Sequence, residues 1–174
     1  MKRLLLIFFM LLLLGTLGEL CIQPRDERPP TEQFAEAMNY IAFDEYIDPD
    51  FGYRVPYPSF FEREQNDSFG IGHVRFGYHA RNINIVIECR VVPACTVDDP
   101  RPHFTTLRPL PGTERYSCLS RYVRRGRCWY VLTLSYPDDY RKALSRLIHR
   151  VAHWQADCSR PPLRRTLRRM TADG

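Results

Sequence analysis

The chain has 174 residues, 44% hydrophobic, 13% aromatic and 26% charged, with 9 glycines and 14 prolines, which suits one globular domain with a sizeable core and excludes collagen-like, mucin-like and wholly disordered chains. The formal net charge of +5 lies at the ends: residues 1–21 sum to +1, residues 159–174 sum to +4, and the stretch between holds 18 basic and 18 acidic residues. A neutral middle argues against a nucleic-acid partner, and a single continuous apolar stretch excludes a polytopic membrane protein.

That apolar stretch comes first. Lys2 and Arg3 precede a run of 15 residues from Leu4 to Gly18, and Glu19 follows at once. A basic start, a short apolar run and small residues near its end describe a secretory signal peptide. The run is shorter than the roughly 20 residues a helix needs to cross a bilayer. Residues 1–18 are therefore read as a signal peptide, with an uncleaved anchor as the alternative. The protein is expected to be exported to the periplasm or cell envelope. Cys21 adds a second expectation, because a cysteine just after an apolar stretch resembles the acylated first residue of a bacterial lipoprotein and would lipid-anchor the chain there. Leu20 and Glu19 depart from that pattern, so ordinary cleavage is favoured.

Residues 19–30 form a linker, with Pro24, Pro29 and Pro30 among charges. Thr31 offers a helix N-cap, and Phe34, Met38 and Ile41 recur at helical spacing, predicting an amphipathic helix of about three turns. Pro49 and Gly52 end that region. Tyr53 to Pro58 is extended but interrupted by prolines, which suits an edge strand. Phe60 and Phe61 follow, then a polar loop through Asn66, Asp67 and Gly70.

A hairpin is predicted from Gly72 to Val92. Val74, Phe76 and Tyr78 alternate on one strand, and Ile83, Ile85 and Ile87 on the other. With Ala80-Arg81 as the turn, Val74 faces Ile87 and every apolar side chain lands on one face. Residues 93–115 hold five prolines and read as a long connection with a helical turn, able to shape a binding rim. A second hairpin runs from Tyr116 to Tyr136 with its turn at Arg125-Gly126, pairing Tyr122 with Trp129 and Leu119 with Leu132. Its apolar side chains on both faces predict a strand covered on both sides. The same register sets Cys118 opposite Thr133, too far along the strand from Cys128 to bond. Pro137-Asp138-Asp139 opens the last helix, with Asp138 or Asp139 as its cap and Tyr140, Leu144, Leu147, Ile148, Val151 and Trp154 as its apolar stripe. The expected fold is α+β: a mainly antiparallel sheet of about five strands, from two hairpins and an edge strand, packed with an N-terminal and a C-terminal helix. The domain spans residues 31–157, and residues 158–174 are a basic tail expected to be disordered.

The segments FGYRVPYPSFF (Phe51 to Phe61) and GRCWYVLTLSYPDDY (Gly126 to Tyr140) resemble the two ends of PsbP-like domains, which include extrinsic photosystem subunits and small bacterial envelope lipoproteins. The resemblance covers about residues 45–156. It implies an extended strand followed by an aromatic, a central hairpin, then a strand and a closing helix. It also implies a binding or assembly module without a shared catalytic set. The proline-rich 93–115 stretch and the cysteines depart from that pattern, and a resemblance of this kind carries architecture only.

The sequence contains no catalytic motif and no cofactor signature. His149 and His153 lie four apart on the last helix, a spacing that can grip zinc. HRVAH lacks the glutamate of a metalloprotease, and half-buried or surface histidines are the simpler account. His73 and His79 point to the strand face opposite Val74 and Phe76. No G-x-S-x-G elbow is present, and Gly70-Ile71-Gly72 lacks the spacing of a phosphate loop. The six cysteines, Cys21, Cys89, Cys95, Cys118, Cys128 and Cys158, contain no CxxC pair; in an exported chain their even number reads as disulfides of undetermined connectivity. In the tail, Leu163, Leu167 and Met170 recur at helical spacing beside Arg164, Arg165, Arg168 and Arg169, an arrangement able to touch an anionic membrane surface. The expected function is an exported, non-enzymatic envelope protein that binds a protein partner or supports an assembly. Two alternatives are a metal-binding protein using His149 and His153, and a small apolar-ligand carrier lined by Phe60, Phe61, Tyr78 and Trp129.

Overall fold

A computed structural model describes Met10 and residues 28–66, 69–80, 83–112 and 115–157. The apolar run of residues 4–18, read from sequence as part of a signal peptide, lies outside the described residues except for Met10, as do Cys21, Cys158 and the arginine-rich tail. Contacts divide the chain into two compact units, Met1–Pro30 and Thr31–Gly174. The sheet belongs to the second unit.

The architecture is α+β. Helix α1 (Pro30–Tyr40) is followed by the strands β1 (Phe43–Ile47) and β2 (Arg54–Pro58), which pair with each other alone. Next come β3 (Glu62–Arg63), β4 (His73–Ala80), β5 (Ile83–Pro93), β6 (His103–Pro109), β7 (Tyr116–Arg125) and β8 (Cys128–Pro137), and then helix α2 (Ser145–Ala152). The last six strands form one sheet in the order β3-β4-β5-β8-β7-β6, antiparallel throughout.

Alternation along these strands sends one set of side chains to a single large core. Phe76, Ile85, Ile87, Tyr130, Leu132 and Leu134 come from the sheet; Phe34 and Met38 from α1; Leu147 and Val151 from α2; Val55 from β2. The proline-interrupted segment is a strand as expected, but it forms a hairpin over the core face and does not edge the main sheet. Tyr57 stacks on Phe76 with ring centroids 3.9 Å apart. Its partner β1 was not foreseen. Asp48 makes the hairpin turn: its carboxylate accepts the N–H groups of Asp50 at 3.0 Å and Phe51 at 2.8 Å, and Gly52 takes the left-handed φ of 69°. Asp48 is thus a buried polar residue with its acceptors in use.

Other details differ from the sequence expectations. Pro30 is the first helical residue of α1, where its fixed φ suits the first turn, so Thr31 lies inside the helix and does not cap it. Both hairpins sit two residues from the expected register: Val74 pairs with Cys89, Phe76 with Ile87, Leu119 with Leu134 and Tyr122 with Val131. A shift of two leaves every side chain on its expected face. In the second hairpin the turn is Gly126-Arg127, and Gly126 has φ +60°, which an L side chain adopts only at a cost. Within the 93–115 connection lie a 3-10 turn at Ala94–Thr96 and the unforeseen edge strand β6. Prolines 93 and 109 occupy strand ends, where a missing N–H is tolerated. Strand β8 is central and buried on both faces, as its two-sided apolar pattern predicts. Pro137 leads into a 3-10 turn, Asp138–Tyr140, that has no side-chain cap. The Asp138 carboxylate instead accepts a hydrogen bond from the Ser117 hydroxyl.

Candidate functional site

The second face of the sheet carries an ordered array of charged side chains on β4 and its neighbours. On β4, His73, Arg75, Gly77 and His79 alternate with the core residues Val74, Phe76 and Tyr78. Glu64 follows β3 and is tied to β4 by its N–H, donated to the Arg75 carbonyl at 3.0 Å. Its carboxylate lies between a guanidinium and an imidazole: Oε2 is 3.1 Å from Arg75 Nε, and Oε1 is 2.9 Å from His79 Nε2. Glu88 on β5 does the same, with Oε1 3.0 Å from His73 Nε2 and 2.9 Å from Arg90 Nε. Gly77 makes the first cluster sterically feasible, because a Cβ there would press on Glu64 Oε1 and His79 Nε2.

Burial lowers the basicity of His73, Glu88 opposes that, and Arg90 and Arg75 add to it; the net result is a His73 that holds its proton less well than an ordinary histidine. The Phe69 ring lies 4.2 Å from the His73 ring. Beside them opens a cleft of about 240 Å³, lined by Arg63, Glu64, Gln65, Asn66, Phe69 and His73. Each carboxylate is shared between an arginine and an imidazole. The array therefore offers donors and acceptors at fixed spacing across three strands, an arrangement suited to recognising a polar surface.

Farther along the same face an aromatic cluster closes the sheet. Trp129 is fully buried, with Phe104 edge-on at 5.4 Å, Tyr122 stacked on Phe104 at 4.3 Å, and the Arg124 guanidinium 5.9 Å above the indole. Val92, Ala94 and Val97 pack against it, so the start of the 93–115 connection serves as a cover. The Trp129 indole N–H is buried without a hydrogen-bond partner, a cost the surrounding aromatic contacts offset.

The residues singled out from sequence are placed as follows. His149 and His153 stack with ring centroids 4.2 Å apart, and His153 Nδ1 lies 3.0 Å from the His149 carbonyl, which fixes one of its nitrogens. Among the described residues no third ligand type joins them. No disulfide joins any two of the four described cysteines: Cys89, Cys118 and Cys128 are buried in strands, and Cys95 is exposed on the 3-10 turn. Cys118 pairs with Ser135, seven positions from Cys128, and its side chain points to the other face. Phe60, Phe61 and Tyr78 meet in the main core with Phe34, whereas Trp129 lies across the sheet, so the four do not line one cavity. Arg164, Arg165, Arg168 and Arg169 lie outside the described residues.

Glu64, Arg75, Gly77, Glu88 and Arg90 were not singled out from sequence. Their signal is present in part: charged residues alternate with the apolar ones on β4 and β5. Only the register and the return of β3 bring them together.

No protein-family model matches the chain, and no curated protein matches it in sequence. Its structure is similar to the solution structure of cyanobacterial PsbP (CyanoP) from Synechocystis sp. PCC 6803, with 16% identity, 64% of this chain and 90% of that chain covered, and a TM-score of 0.40. The likeness is one of fold.

Proposed function

We propose that the protein is an exported, non-enzymatic envelope protein whose sheet serves as a partner-binding or assembly module. One observation supports this reading most: the paired array of Glu64, Arg75 and His79 with His73, Glu88 and Arg90 on a strand-held face. Every carboxylate in it is engaged by one arginine and one imidazole, which favours oriented recognition of a polar protein surface over proton transfer at a free group. Export is supported by the basic start and apolar run of residues 1–18. The arginine-rich tail gives a means of peripheral membrane contact.

Two measurements test this. The intact mass of protein isolated from soluble and membrane fractions, with thiols alkylated before and after reduction, reads export directly. A start near Glu19 supports a processed, exported protein, and a start at acylated Cys21 supports a lipid anchor. A full-length mass with all thiols open rejects export. For the binding role, a photo-crosslinking residue at Arg90, half exposed on the array, is compared with one at Tyr40, exposed at the end of α1. A defined partner captured from position 90 alone, and lost on Glu64→Lys, supports the reading. Equal capture from both positions, or capture indifferent to Glu64→Lys, rejects it.

A further inference from the structure

We infer that the exposed face of α2 is a docking site for the phosphates of an anionic bilayer surface, built into the folded domain and independent of the tail. From Arg141 to Ala156 the sequence has no acidic residue. Arg141, Lys142, Ser145, Arg146, His149 and Arg150 are exposed along it, while Leu144, Leu147 and Val151 face the core. Ser145, Arg146, His149 and Arg150 therefore share one side of α2, and Arg141 and Lys142 lie exposed in the turn just before it.

Two of them are held in place from below. The guanidinium carbons of Arg150 and Arg146 lie 4.3 Å and 5.4 Å from the centroid of the Phe43 ring, an attraction that orders cations without neutralising them. Arg146 Nη1 also donates to the carbonyls of Met38 at 3.0 Å and Asn39 at 3.1 Å, capping the end of α1. Among the described residues neither arginine is paired with a carboxylate. Ser145, Arg146, His149 and Arg150 line an open groove of about 500 Å³, roomy enough for a phosphodiester headgroup. Guanidinium N–H groups suit phosphate oxygens in number and geometry.

The length of this basic stretch selects a surface over a single soluble anion. A free phosphate needs one groove, whereas exposed basic residues run from Arg141 through Lys142 and Arg146 to Arg150. Residues 141–157 carry four basic residues and one acidic residue, whereas residues 31–140 carry 12 basic and 15 acidic and sum to −3. That asymmetry orients the molecule with α2 toward negative charge. The site shares no residue with the outer-face array, so each can fail without the other.

The test uses protein as isolated from cells and vesicles of phosphatidylcholine alone or with phosphatidylglycerol. Any retained residues 4–18 would bind both vesicle types alike, so the difference between them reads charge. The expected result is preferential binding to the anionic vesicles, weakened at high salt. Lys142→Gln with Arg150→Gln should reduce that preference on the order of 20-fold, with an unchanged urea midpoint. A variant with Arg164, Arg165, Arg168 and Arg169 all changed to Gln should keep a salt-sensitive preference. Wild-type binding by the Lys142→Gln, Arg150→Gln variant would overturn the inference in favour of the tail alone. Resonance shifts at His149 with millimolar inorganic phosphate, but no anionic-vesicle preference, would overturn it in favour of a soluble anion.

Discussion

Replacing Trp154 separates two ways in which the end of α2 holds the fold together. Its indole N–H donates to the Arg54 carbonyl at 2.7 Å, linking the C-terminal helix to the β1–β2 hairpin, and only 5% of the residue is exposed. Trp154→Phe keeps an aromatic ring but leaves that carbonyl unmet, a loss of about 1–3 kcal/mol. Trp154→Ala also removes the ring from beside Leu147 and Val151, and large aromatic truncations of this kind cost roughly 3–5 kcal/mol. For a chain of this size each kcal/mol lowers Tm by about 2–4 °C. The phenylalanine variant should therefore melt roughly 5 °C below wild type and the alanine variant more than about 10 °C below it. Urea denaturation followed by circular dichroism gives the free energies, and Trp129, on the opposite face of the sheet, remains as a fluorescent reporter of the other core. A Trp154→Phe variant within about 0.5 kcal/mol of wild type would show that the hydrogen bond adds nothing. Equal losses for the two variants would show that the ring is not packed as described.

Gly72 has φ +76°, and a Cβ there would lie 2.6 Å from the Phe51 ring, while Gly112 has φ +79° with open space around it. Gly72→Ala should cost roughly 2–4 kcal/mol and Gly112→Ala only about 1–2 kcal/mol of backbone strain; equal losses in urea melts would refute the close approach to Phe51. Because His73 is less basic when folded than unfolded, the unfolded chain binds its proton first on acidification. Stability should therefore fall as pH drops below about 6.5 toward the folded value. His73→Gln should flatten that slope between pH 7 and 5, and an unchanged slope would refute the role of His73. Among the described cysteines Cys95 is exposed, while Cys128 is buried and its thiol is pushed up by that burial. Alkylation followed by peptide mapping should label Cys95 first and Cys89, Cys118 and Cys128 only on unfolding; early labelling of Cys128 would contradict its placement.

Much of the fold was legible from local pattern. The alternation of Val74, Phe76 and Tyr78 against Ile83, Ile85 and Ile87 decides which face is buried. Of the stripe expected from Tyr140 to Trp154, only Leu147, Ile148 and Val151 lie in the closing helix, which starts at Ser145 after a 3-10 turn and is shorter than its pattern predicts. The aromatic segments at residues 51–61 and 126–140 carry the resemblance to PsbP-like domains. Strands β1 and β6 were not legible, because FDEYI and HFTTLRP expose most of their side chains and so lack an apolar rhythm. A strand that packs weakly leaves little trace in its own composition.

Register was beyond the pattern for a different reason. Side chains alternate with a period of two, so pairings shifted by two residues bury the same set, and only the turns choose between them. Gly126, able to adopt φ +60°, makes that choice in the second hairpin. The outer-face array depended on it most, since Glu64, His79, His73 and Glu88 come from three strands and meet only when register, strand order and the missing Cβ of Gly77 coincide. By itself the sequence determined the faces of the strands and helices, the apolar start and the basic end. The pairing of charges on the open face was decided by tertiary structure alone, because ion pairs depend on distances between strands, and local sequence does not encode those distances.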